Sequence, residues 1–129
     1  MINYVNVRPE HLNFHGYLFG GILLKWVDEF AWMTASLDFV HCTMVTIAMN
    51  DITFKYRVRN GAILRFVIKP VKIGRTSVTY RVDTFADEPG ADCEVEVFSC
   101  IITFVNIDEN GVPKELPIKD IRELRSYND

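Results

Sequence analysis

The segment from Gly20 to Leu37 is the strongest constraint on how this chain folds, because it reads as a helix with apolar side chains almost all the way round. Ile22, Leu23, Leu24, Trp26, Val27, Phe30, Ala31, Trp32, Met33 and Ala35 leave almost no polar stripe. A helix of that kind is enclosed by other structure rather than laid on a surface. Something in the remaining sequence must wrap it.

Four later segments supply the wrapper: CTMVTIAMNDITFKY, AILRFVIKPVKI, SVTYRVDTFA and CEVEVFSCIITFVNI. They are rich in β-branched and aromatic residues and partly alternate, as strands do. Val78, Tyr80 and Val82 set against Ser77, Thr79, Arg81 and Asp83 predict one buried and one wetter face. Connections such as Arg59-Asn60-Gly61 and Ile73-Gly74-Arg75 are too short to reach a parallel neighbour, so the sheet is expected to be antiparallel. The apolar parity shifts between Val45, Ile47, Met49 and Ile52, Phe54, which predicts a bulge near Asn50 and Asp51. A short extended piece, Asn3 to Val7, precedes a loop opened by Pro9. With 129 residues and no linker, residues 1–129 are expected to form one α+β domain. A long antiparallel sheet curled around one central helix is the hotdog architecture. The tail from Asp108 holds a turn and then the charged stretch IKDIRELRSYND, expected as a solvated end with a short surface helix.

Charge and composition exclude several functions. A net charge of −3 is expected of no general nucleic-acid binder, which draws its affinity from basic residues on phosphates. Cys42, Cys93 and Cys100 show no ligand-like spacing and fit free thiols in a reducing compartment. The first residues lack a basic segment followed by an apolar run, and no stretch has the ~20 apolar residues that span a bilayer. Cytoplasmic residence is therefore expected, without membrane insertion. His11, His15 and His41 form no metal-binding pattern, so no metal is expected.

Two groups of residues carry candidate chemistry. Gly20 and Gly21 at a helix start leave backbone N–H donors unobstructed at the positive end of the helix dipole, which suits an oxyanion; close packing against the sheet is the alternative. Asp28 lies seven residues after Gly21, about 10 Å along the same face. A carboxylate in so apolar a helix is either functional or paired, with Lys25 or with a neighbouring strand. One chain does not easily bring Asp28 and Gly21 to a single reacting carbon, whereas antiparallel helices of a dimer do. Glu29 reads as an ion-pair partner of Lys25. Asn13 orients a substrate or makes a local turn bond. The second group, Lys69 to Ser77, offers cations, hydroxyls and glycine-exposed N–H donors that suit a phosphate, with Lys55, Arg57 and Arg59 as further cations or a solvated strand end.

The motif Pro9-Glu10-His11-Leu12-Asn13-Phe14-His15-Gly16, with Phe19-Gly20-Gly21 and Asp28, resembles the cytosolic acyl-CoA thioesterase branch of the hotdog superfamily, including bacterial broad-range enzymes and brain-type acyl-CoA hydrolases. Thr46 to Met49, Lys72 to Ser77 and Ile102 to Val105 extend the likeness from about Val7 to Pro117. The resemblance implies a hydrolase without a cofactor, acting on an acyl-CoA in a homodimer that assembles further, into a tetramer or hexamer. It implies that Asn13 of one subunit and Asp28 of the other frame the thioester, that the Gly21 N–H polarises its carbonyl, and that Gly74, Arg75, Thr76 and Ser77 hold CoA beside Gly20. This chain departs from the pattern at Tyr17, where bacterial members often carry an acidic residue, and at Tyr56-Arg57, near whose position those members often carry a Lys-Pro pair. A hotdog 3-hydroxyacyl-thioester dehydratase using His15 and a silent acyl-CoA-binding module are the alternative functions.

Overall fold

A computed structural model describes residues 1–129. In chain order it contains β1 (Ile2–Asn6), a 3-10 turn (Pro9–His11), α1 (Gly20–Asp38), β2 (Thr43–Phe54), β3 (Ile63–Ile73), β4 (Ser77–Asp87) and β5 (Val95–Ile107). The five strands form one sheet in the order β1-β3-β4-β5-β2, and every neighbouring pair is antiparallel. The sheet packs on α1 as the alternation predicts: Val78, Tyr80, Val82, Thr84 and Ala86 of β4 are all buried.

β2 and β3 are consecutive in sequence but lie apart in the sheet. Residues 55–62 carry the chain from one side to the other and pass the loop before α1, where Leu18 N donates to Val58 O at 2.8 Å. The Ile73 to Ser77 connection, by contrast, joins β3 and β4 as true neighbours.

The parity change in β2 is a bulge. Pairing with β5 slips between Asn50 and Thr53, and Asp51 sits at φ 52°, a left-handed conformation that Asp tolerates better than most residues. A second slip, between Thr46 and Ala48, leaves Ile47 out of the pairing.

Two expectations need correction. The helix is covered on one side only. Leu23, Val27, Ala31, Thr34, Ala35 and Asp38 are buried, whereas Phe19, Trp32 and Leu37 on its flank are 54%, 46% and 41% exposed. Nor is the tail a solvated end piece. Leu116 and Leu124 are fully buried in the core, and the segment turns twice as 3-10 helix, at Ile121–Glu123 and Arg125–Tyr127. Its anchor is the buried Asp38 carboxylate at the end of α1. That carboxylate accepts from the Ser126 N–H at 2.9 Å, the Ser126 hydroxyl at 2.5 Å and the Tyr80 hydroxyl at 2.7 Å. A buried carboxylate is tolerable when its lone pairs are satisfied in this way.

Candidate active site

The loop before α1 is built around Asn13. Its Oδ1 accepts from the backbone N–H groups of His15, at 2.9 Å, and Tyr17, at 3.1 Å, while its own N–H donates to Tyr17 O at 2.7 Å. Gly16 closes the turn at φ 84°, a conformation costly for a residue with a side chain. The expected local turn bond is therefore present, and it has a consequence for chemistry. With the carbonyl oxygen doubly engaged, the amide NH₂ of Asn13 is the end left to meet a ligand, and it can only donate. Asn13 and Gly20 line one cavity of about 520 Å³, together with Tyr17, Leu23, Phe54 and Arg57.

At the helix start, Phe19 is an extended N-cap residue that supplies no side-chain cap. Ile22 and Leu23 donate to Phe19 O, whereas the N–H groups of Gly20 and Gly21 have no acceptor within the chain. A Cβ on Gly20 would meet Phe54 at an ordinary 3.5 Å, and one on Gly21 would meet only the Phe19 ring, at 3.3 Å. Close packing of the helix on the sheet does not demand these glycines. What they provide is two unpaired donors at the helix start, where Gly20 lines the cavity, and such donors suit an oxyanion.

Asp28 lies two helical turns further on, about 10 Å from Gly21. It forms no ion pair with Lys25, and neither does Glu29. Its Oδ1 instead accepts from the Thr46 hydroxyl of β2 at 2.7 Å. Asp28, Thr46, Lys25, Glu29 and Trp32 line a second recess of about 270 Å³. The Trp32 indole donates to Met44 O at 3.0 Å and so ties this flank of the helix to the strand. Within one chain Asn13 and Asp28 thus face different cavities. Thr46 is the residue that reading the sequence for chemistry passes over: it falls in a recognised segment, but nothing in its alternation marks a hydroxyl aimed at a carboxylate.

The turn after β3 keeps only part of the donor set expected of an anion site, since Gly74 N donates to Ser77 O at 2.7 Å and the Lys69 ammonium to Ser126 O at 3.3 Å. Arg75 N and Thr76 N have no acceptor in the chain, and the exposed Arg75 side chain has no acidic partner. Its carbonyls are used structurally, with Arg75 O taken by Leu116 N and by the Lys119 ammonium, and Thr76 O by Asn106 N. Lys55 is not a free cation, since it pairs with Glu96 at 2.9 Å, and that contact holds the Glu96 carboxyl below its ordinary range. No three His, Cys, Asp or Glu residues come together in a way that could hold a metal ion.

Residues 15–93, the stretch that holds the helix start, Asp28, Thr46 and the β3-β4 turn, match the Thioesterase superfamily. The chain belongs to that superfamily. Among its relatives is an uncharacterized acyl-CoA thioester hydrolase of Zymomonas mobilis, 32% identical over 97% of this chain and 82% of its own length. Among solved structures, an acyl-CoA hydrolase of Staphylococcus aureus bound to butyryl coenzyme A and coenzyme A is 26% identical, with a TM-score of 0.82 over 99% of this chain and 79% of that one. Alanine variants of an asparagine, an aspartate and a threonine in that enzyme have also been solved. A hexameric hotdog-fold thioesterase of Campylobacter jejuni is 27% identical, with a TM-score of 0.79 over 88% of this chain and 87% of that one. This superfamily member therefore has the hotdog fold that its strand pattern predicts.

Proposed function

We propose that this chain hydrolyses acyl-CoA thioesters to a free acid and CoA, at sites completed by two subunits. The observation that carries the reading is the division of the chemical groups. The donors of Gly20, Gly21 and Asn13 lie at one end of α1, and a carboxylate held by Thr46 lies about 10 Å away on the same helix. Two antiparallel helices place Asp28 of one subunit beside the partner's Gly21 and the partner's Asn13. The relatives support the assignment: the asparagine and aspartate replaced in the Staphylococcus aureus enzyme stand the same number of residues apart as Asn13 and Asp28. The third residue replaced there is a threonine 17 residues after that aspartate, one fewer than the 18 from Asp28 to Thr46.

In this mechanism the thioester carbonyl oxygen lies on the Gly21 N–H and is oriented by the Asn13 amide. Asp28 takes a proton from water as the water oxygen bonds to the carbonyl carbon. The tetrahedral intermediate then expels sulfur, and the Asp28 carboxyl returns the proton to the CoA thiolate. Direct attack by Asp28, giving an anhydride that water opens, is the other route to the same products. The β3-β4 turn from Gly74 to Ser77, with the free N–H groups of Arg75 and Thr76 and the Arg75 side chain, binds phosphate of CoA. The reaction needs no cofactor. One such domain per chain, working in the cytoplasm as a dimer that assembles further, completes the reading; His15, edge-on to Phe14 at 4.9 Å and without a carboxylate partner, gives a dehydratase no support.

Thiol release from acyl-CoAs of increasing length, with wild type beside Asp28→Asn, tests the reading. Loss of a general base should lower turnover by roughly 10²–10⁴-fold. Equal turnover in the variant removes Asp28 from the chemistry; binding of acyl-CoA with no thiol release by wild type makes the chain a binding module.

A further inference from the structure

Tyr17 and Arg57, which lie 40 residues apart in the sequence, touch each other beside the candidate active site. The Arg57 guanidinium lies over the Tyr17 ring, 5.0 Å from its centroid. Both line the cavity that also holds Asn13 and Gly20. A cation over the face of the ring is held there by the ring's electrons without consuming its donors. No ion pair and no hydrogen bond within the chain engages Arg57, and no aspartate or glutamate lines the cavity. The other cation there, Lys55, already has Glu96. A guanidinium held in place with no counter-ion, beside the donors that would hold a thioester carbonyl, is a place for a second negative group of the same molecule.

We propose that Arg57, held by Tyr17, is a specificity residue that binds an anionic oxygen group of the substrate remote from the reacting carbonyl. That group is either a carboxylate at the far end of the acyl arm or a phosphate on the CoA arm. Tyr17 acts through Arg57 as a positioning residue. The proposal rests on the thioesterase reading for the identity of the substrate, and its test is arranged to fail separately.

Three substrates separate the sources: adipoyl-CoA, with a terminal carboxylate; hexanoyl-CoA, of the same acyl length and uncharged; and hexanoyl-pantetheine, without the nucleotide phosphates. Each is assayed with the purified oligomer of wild type, Arg57→Gln and Arg57→Lys. If the acyl arm supplies the anion, Arg57→Gln lowers the ratio of kcat/KM for adipoyl-CoA over hexanoyl-CoA by on the order of ten- to a hundredfold, the scale of one charge-assisted hydrogen bond. If CoA supplies it, the ratio for hexanoyl-CoA over hexanoyl-pantetheine falls by that amount instead. Arg57→Lys recovers part of the lost ratio, because charge remains while the planar fork of donors does not. Both ratios unchanged in Arg57→Gln overturn the proposal. If wild type hydrolyses none of the three, the thioesterase reading has failed, and the same ratios taken from dissociation constants by calorimetry still decide the role of Arg57.

Discussion

Replacing Thr46 with valine keeps the volume and β-branching of the side chain and removes the one hydroxyl that donates to Asp28. Strand β2 should tolerate the change, since Thr46 is exposed and its backbone pairing with Phe104 is untouched. The loss falls on the carboxylate. At 2.7 Å the contact is a hydrogen bond to a charged acceptor, a class worth about 1.5–3 kcal/mol. Asp28 is only half-buried, so the lower end applies, and about 1.4 kcal/mol corresponds to a factor of ten in rate. Thr46→Val should therefore lower kcat about tenfold through misplacement of the base, with little change in KM because Thr46 aims the carboxylate and does not hold the substrate. Thr46→Ser should recover most of the loss. Steady-state kinetics on the best acyl-CoA of the panel, with a melting temperature for each variant, reads the effect. Wild-type kcat in Thr46→Val refutes the positioning role, and a raised KM at unchanged kcat assigns Thr46 to binding instead.

The other predictions concern the fold. Leu124→Ala removes a fully buried side chain from the tail and should cost about 2–5 kcal/mol, lowering Tm by on the order of 10 °C in calorimetry; a change of only a degree or two would restore the solvated-tail reading. Stability should fall as pH rises above about 9. Burial pushes the Cys100 thiol up to about 12 and raises the Tyr80 hydroxyl, with the Asp38 carboxylate adding to the latter, so both stay protonated in the folded state while the unfolded chain ionises from near 9 and 10. The unfolded state then binds fewer protons, which favours it as pH increases. Urea midpoints at pH 8 and pH 10.5 measure the effect, and a higher midpoint at the alkaline pH contradicts it.

What the sequence discloses here is what repeats at a fixed period. The strands, the helix and the bulge at Asn50 and Asp51 are legible because alternation holds on either side and breaks where the pairing slips. The slip at Ile47 leaves no such mark: Val45 and Ile47 keep their apolar spacing although one of them has left the ladder. The tail hides for a related reason. Leu116 and Leu124 follow neither a strand nor an α-helical period, because 3-10 turns and extended links separate them, and charged neighbours mask them. Their anchor joins Ser126 to Asp38 across 88 residues, and no local pattern encodes that contact. The site divides in the same way. The glycines and Asp28 stand out by residue type in an apolar setting, whereas Thr46 becomes visible only when β2 is laid beside the helix.

The helix itself shows what such patterning measures. Its apolar circumference predicts enclosure on every side, yet the chain encloses one face and leaves Phe19, Trp32 and Leu37 open. Strand β2 repeats the discrepancy at the edge of the sheet, where Val45, Ile47, Ile52 and Phe54 are 39%, 58%, 42% and 51% exposed. An apolar strand edge left bare is a template for uncontrolled pairing, which folded chains avoid by covering it. Under the proposed assembly, the pattern would report burial between subunits and not within the single chain. The uncovered flank is also where Asp28 sits, between Trp32 of the helix and Thr46 of the strand. A second subunit that covers this flank would dry the carboxylate's surroundings and bring its own donors to them. On the proposed two-subunit reading, the surface that a partner would cover is thus the surface that would receive the rest of the active site.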